Sequence, residues 1–251
     1  MRRLGTIKIW GLAALLLALN SAHASAELYA QLLQLYVHSD GVDYAGWQAN
    51  AADREKLDQV VRWLGELPAD ASPAQQKAHL INLYNAAMLQ AVLKHFPIDS
   101  VRSIGLLPFS IFKRKFIRWQ GASLSLDQIE KERLLKTFPD PRIHFAVNCA
   151  SRSCPPLRNT PFNAGQLEQQ LDEQTRLFAH SQDAVELELA NDSSAFSKLF
   201  KWYAADFAPD HPADYLNRYR TDLLPVHPHY DWIAYDWSLN VSSQQSTARK
   251  P

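Results

Sequence analysis

The stretch HLINLYNAAMLQAVL, residues 79 to 93, is apolar on nearly every side of a helix. Such a helix is stable only where other elements cover most of its faces, so the rest of the chain must wrap around it. Ser72-Pro73 marks its start, an N-cap followed by proline at the first helical position, and Phe96-Pro97 marks its end, because proline forces the preceding residue out of helical geometry. The helix also carries a polar stripe, His79, Asn82 and Asn85, at intervals of three residues. A buried amide without partners costs on the order of 1–3 kcal/mol, so each asparagine must bond to something. Either the pair ties down a neighbouring loop, or the stripe faces a cleft and positions a substrate or a catalytic group.

Helical spacing of Leu, Val and Trp predicts further helices over 27–38 and 52–67. KFIRWQGASLSL alternates around Gln120-Gly121 as a hairpin does, and Ser125 with Gln128 forms a capping box for a helix ending near Phe138. RIHFAV, residues 142–147, reads as a buried strand. Asn163 caps a helix to Ala179, AVELEL alternates as a strand, Ser193 or Ser194 precedes the helix AFSKLFKWYAADF, 212–220 form a short helix, and WIAYDW closes as a last strand. Strands scattered among helices predict an α+β fold: one helix-rich domain with a small, mainly antiparallel sheet.

Met1-Arg2-Arg3 with Lys8, the apolar run from Ile9 to Leu19 and the triplet Ala22-His23-Ala24 have the layout of an export signal. The expected organisation is a signal peptide over 1–24, a single domain over 25–240 and a polar tail over 241–251, in a periplasmic or secreted protein. The apolar run is shorter than the roughly 20 residues that a membrane span needs, so no transmembrane span is expected after signal removal. With 26 basic and 26 acidic residues the formal charge is zero, so the chain as a whole is expected to have no electrostatic attraction to nucleic acid or anionic lipid, and no nucleic-acid partner is expected. FKRKFIRW, 112–119, is a local basic exception and reads as a solvated hairpin strand.

HFAVNCASRSCPPL, residues 144 to 157, holds both cysteines. A Cys149–Cys154 disulfide would persist in an oxidising compartment, but closing so short a loop stabilises by only about 2 kcal/mol. A reactive thiol needs instead a lowered pKa, a base within reach and a group to orient that base. His144 is the nearby base. In a regular strand, positions five apart lie about 16 Å from each other on opposite faces. Cys149 and His144 therefore pair only if the chain turns after Val147 or Asn148, and otherwise Cys149 is a packed core thiol. The turn-rich NCASRSCPP offers successive backbone N–H groups for an oxyanion beside Arg152. The candidate set is Cys149 as nucleophile, His144 as base, and Asn82, Asn85 or Asp236 as orienter, with Asn148, Ser151, Arg152 and Cys154 lining a substrate site.

Other chemistries have weaker support. His38, His95, His180, His211, His227 and His229 form no HExxH motif, there is no CxxC, and no metal is expected. The chain has no P-loop, GxGxxG or GxSxG, and no cofactor is expected. A paired-carboxylate glycosidase would require Asp206 and Asp236 to converge.

INLYNA (81–86), LSLDQIE (124–130), DPRIHFAVNCASRSCPPLR (140–158), FKWYAADF (200–207) and YDWSLN (235–240) together resemble domain-of-unknown-function family 547 (DUF 547), over roughly residues 40 to 240. His79-Leu80 stands where the family pattern has an aromatic-rich pair. The resemblance implies no established reaction. It implies a papain-like or transglutaminase-like thiol-enzyme fold by analogy, and a pattern that accepts serine at the Cys154 position, which argues against an obligatory disulfide. Two functions are expected: a thiol-dependent acyl transferase or hydrolase acting on a peptide, amide or cell-envelope component, or a non-catalytic envelope binding module.

Overall fold

The computed structural model describes residues 24–66, 70–188 and 193–244. The expected signal segment lies outside the described residues except for Ala24, as does the tail from 245 onward. Helices α1 (24–36), α2 (Tyr44–Ala49) and α3 (Ala51–Leu64) precede the central α4 (Pro73–His95). At its start Ser72 Oγ accepts from Gln75 N, as the predicted N-cap requires, and Gln75 Oε1 accepts from Ser72 N at 2.7 Å, which makes the cap reciprocal. Ile81, Leu83, Ala86, Ala87, Met88 and Val92 of α4 lie in a core shared with Tyr29, Trp47, Leu57 and Leu64 of the first three helices. No helix among the described residues is long and apolar enough to cross a membrane.

The strands are short and separate. β1 (Val37–His38) pairs with β2 (Gly41–Val42), and β3 (Ile117–Trp119) pairs with β4 (Ala122–Leu124). Gln120 and Gly121 both have positive φ, 47° and 80°, which matches the twist of a two-residue hairpin turn. β5 (Val185–Glu188) runs antiparallel to β6 (Ser193–Phe196), and β6 runs parallel to β7 (Asp231–Trp232). The fold is α+β and helix-rich, as expected.

Three segments depart from expectation. RIHFAV is a single helical turn, α6 (Ile143–Ala146), and not a strand. Asp140 Oδ1 accepts from Arg142 N at 3.1 Å with Pro141 between them, so Asp-Pro leads the chain into the turn, and among the described residues no strand pairs with it. The expected long helix after Ser193 begins with β6, and helix starts only at Ser197, which caps α8 (Lys198–Trp202) ahead of α9 (Ala204–Phe207) and α10 (Pro212–Asn217). WIAYDW pairs only through Trp232. The polar tail is pinned at its beginning: Ser242 N donates to Val42 O at 3.0 Å, and Ser243 N to Asp40 Oδ2 at 2.8 Å.

Helix α6 sits where two cores meet. Ile143, Ala146 and Val147 pack in the core around α4. Phe145 packs in a second, aromatic core with Phe178 of α7 (Leu167–Ala179), Phe196, Phe200, Phe207 and Tyr215. At the start of the turn, Arg142 bonds to Asp140 and Asp172, and Lys77 of α4 pairs with Asp140. At its end, Asn85 Nδ2 donates to Ala146 O at 2.9 Å, and Asn85 Oδ1 accepts from Asn148 N at 2.8 Å. Asn85→Leu strands both backbone groups in the core. We expect a loss of about 1–3 kcal/mol, read as a lower urea midpoint at unchanged slope; an unchanged midpoint would show that the clamp contributes nothing.

Candidate active site

After α6 the chain becomes extended at Val147 and then turns, with Ala150 left-handed at φ 61°. A non-glycine residue in that region costs about 1–2 kcal/mol, so the turn needs support from outside itself. Asn148 supplies part of it: its Nδ2 donates to Pro155 O at 2.8 Å and its Oδ1 accepts from Ala150 N at 2.8 Å, closing the loop from both ends. The C-terminal segment supplies the rest. Arg152 N donates to Ser238 O, Ser153 N to Asp236 O and Asn240 N to Ala150 O.

This loop presents Cys149 half-buried on the wall of a cavity of about 210 Å³, lined by aromatic residues including Tyr84, Phe109, Phe112, Trp202, Tyr203, Tyr235 and Trp237. The Cys149 sulfur lies 2.8 Å from Ser151 Oγ and 3.4 Å from Tyr235 OH, and those two hydroxyls are 3.1 Å apart. Cys149 N donates to the Cys154 sulfur at 2.9 Å, and both thiols are free. Burial alone would push the Cys149 thiol up. Hydrogen bonds from Cys154, Ser151 and Tyr235 to the sulfur outweigh that effect and bring its pKa down to about 7. Cys154 moves the other way, well above the usual thiol range, because it is buried and faces the charge of its neighbour. The pair therefore divides into one ionisable sulfur and one that stays protonated.

His144 lines the same cavity from α6. Its Nε2 lies 2.8 Å from Asp206 Oδ2, and its ring packs against Tyr203, tilted by 32° with centroids 3.9 Å apart. Burial lowers the imidazole pKa and the Asp206 carboxylate only partly restores it, so the ring is neutral near pH 7. A carboxylate accepts only from N–H; the proton therefore sits on Nε2, and Nδ1 keeps the lone pair of a base. Glu130 completes the polar lining. It sits in a π-helix (Gln128–Leu135), takes a hydrogen bond of 2.6 Å from Tyr203 OH, and burial raises its carboxyl pKa toward the neutral acid.

The structure brings Cys149, His144, Cys154 and Ser151 together, with His144 and both cysteines on the cavity. Among the described residues no hydrogen bond joins the Cys149 sulfur to a ring nitrogen of His144. The other residues that sequence singled out are engaged elsewhere. Asn82 bonds the backbone of Phe162 in both directions, at 2.8 and 2.9 Å, while Asn85 and Asn148 hold the loop as described. Arg152 reaches the carbonyls of Asp40 and Val241. Asp236 accepts from Ser238 N, and it is Asp206 that orients the imidazole. Asp206, Tyr203, Tyr235 and Glu130 were not singled out for such roles. One signal for Asp206 was present: it is the only acid in the aromatic stretch FKWYAADF, where a carboxylate calls for a polar partner.

No curated protein and no solved structure matches the chain. Residues 68–179 match the model of a family described as "Protein of unknown function, DUF547". The matched segment holds α4, Glu130, His144 and both cysteines, whereas Tyr203, Asp206 and Tyr235 come from the chain beyond it. The resemblance to DUF547 that the sequence motifs suggest is thus shown over residues 68–179.

Proposed function

We propose that the protein is a thiol-dependent acyl transferase or hydrolase with Cys149 as its nucleophile. The observation that carries this reading is a sulfur held near pKa 7 by two hydroxyls and a second thiol, on a cavity shared with a neutral, carboxylate-oriented imidazole. The Cys149 thiolate attacks the carbonyl carbon of an amide or ester, forming a C–S bond while the carbonyl electrons move to oxygen. Collapse of that adduct breaks the bond to the amine or alcohol, which takes a proton from solvent water as it leaves, and the acyl group stays on sulfur as a thioester. His144 acts through Nδ1 on a water or an acceptor hydroxyl, removing its proton as it attacks the thioester and restoring the thiolate. Because no hydrogen bond links the imidazole to the sulfur, the ring serves substrate and water and not a resting ion pair.

The aromatic lining favours an apolar or aromatic acyl group, and a small number of polar groups orient it. The expected substrate remains a peptide, amide or cell-envelope component, and the protein is read as periplasmic or secreted from its N-terminal pattern alone. The missing sulfur–imidazole bond is also the observation that favours the second reading, a binding cavity without turnover.

The test is turnover of a panel of aryl ester, thioester and amide probes. Cys149→Ser should abolish turnover, His144→Ala should cost about 10²–10⁴-fold, and Asp206→Asn should lower kcat while Asp236→Asn leaves it unchanged. A thiol deprotonates as pH rises, so activity should climb through an acid limb centred near 7. Full turnover by the Cys149→Ser variant, or equal loss in the two aspartate variants, would contradict the assignment.

A further inference from the structure

The loop leading into the cavity carries an apolar point with a basic surround. Leu106 is fully exposed and Leu107 is 70% exposed, with Pro108 exposed beside them, between the 3₁₀ turn Val101–Ser103 and α5 (Ser110–Lys113). The loop has a defined shape: Ser110 Oγ donates to Ile104 O at 3.0 Å, Ser110 N donates to Leu107 O at 3.1 Å, and Phe109 stacks edge-on against Trp237 with centroids 4.6 Å apart. Exposed aliphatic side chains on an ordered tip are not explained by the core of this domain.

The charges around that tip have one sign. Arg102, Lys113, Arg114, Lys115 and Arg118 are all exposed, and the sequence has no acid between Asp99 and Asp127. Arg102 lies over the Phe109 ring, 5.1 Å from its centroid. Among the described residues none of the five is in an ion pair, and Asp127 is taken by Lys131. Arg114 also lines a groove with Arg54, Arg62 and Lys94, whose single carboxylate, Asp58, accepts from Gln90. In a chain of zero formal charge, the face that residues 100–126 present carries five exposed cations and no carboxylate of its own.

We propose that this face docks on an anionic lipid bilayer, with Leu106 and Leu107 entering the interface and the cations lying at the headgroups. A bilayer carries its negative charge outside its hydrocarbon, which is the layering of an aliphatic point ringed by cations. A nucleic acid would find aromatic stacking platforms of more use than leucines at the tip. Phe109, Phe112 and Lys113 line both this loop and the Cys149 cavity, so docking brings the cavity mouth to the membrane surface. The inference goes beyond the thiol reading and does not rest on it.

The experiment is co-sedimentation of the full chain with vesicles of phosphatidylglycerol and phosphatidylethanolamine, against vesicles of phosphatidylcholine alone. Binding should favour the anionic vesicles and weaken as salt rises. Each cation at such a surface contributes about fivefold to partitioning, so Arg114→Glu with Lys115→Glu should weaken binding roughly twentyfold or more. Leu106→Ser with Leu107→Ser should weaken it about tenfold. All these positions are exposed, and an unchanged thermal midpoint will show that the variants fold. Cys149→Ser should bind as the native chain does, which separates docking from catalysis. Equal binding to both vesicle types, or native binding by either double variant, would overturn the proposal. So would failure to bind vesicles, whether accompanied by retention on polyglutamate, which would give the face to an acidic protein, or by a dimer lost in the leucine variant, which would give it to a second copy.

Discussion

The carboxamide of Asn85 decides where the Cys149 loop begins. It donates to the carbonyl of Ala146 and accepts from the amide of Asn148, so one side chain of the central helix caps the end of α6 and starts the turn that follows. Both backbone groups are buried, and without Asn85 each would be left unpaired in an apolar surround, where an unmade hydrogen bond is costly. Leucine could fill the volume but not the valences. The polar stripe on an otherwise apolar helix is thus the means by which α4 fixes a loop that has little regular structure of its own.

The rest of the site follows from that anchor. One turn of α6 sends Ile143 and Ala146 into the main core, Phe145 into the aromatic core and His144 to the cavity, a division that a strand with its two faces could not make. The C-terminal segment then closes over the loop. Val42 N donates to Asn240 O and Leu239 N to Asp99 O, so this segment links the loop to parts of the chain far from it in sequence. Gly41 permits the contact, since a Cβ there would collide with the carbonyl oxygen of Asn240. Tyr235 arrives on the same segment, and its hydroxyl helps hold the negative charge on sulfur. The tuning of Cys149 therefore depends on the two ends of the domain meeting.

Much of the scaffold was legible because local rules governed it. The Ser72 N-cap, the Gln120-Gly121 turn and the apolar run of α4 are each set by residues close in sequence. Asn82 and Asn85 were legible as buried amides in need of partners, though not as backbone clamps, since their partners lie 61 to 80 positions away. RIHFAV misled because its apolar run suits a strand, whereas Asp140-Pro141 before it and the asparagine clamp behind it impose a helical turn. Asp206 and Tyr235 were hidden for a related reason: 62 positions separate Asp206 from His144, and 86 separate Tyr235 from Cys149, so only the fold makes them neighbours.

The central claim is that hydrogen bonds gathered by the fold, and not a resting imidazole, poise the Cys149 sulfur. The most direct measurement is the ultraviolet absorbance of the thiolate as a function of pH in the reduced full chain, with Cys149→Ser as the blank that leaves Cys154 in place. The account predicts half-titration at about 7, and a rise in that midpoint when Tyr235 is replaced by phenylalanine. A midpoint at the ordinary thiol value of about 8.5 or above, unmoved by Tyr235→Phe, would contradict it.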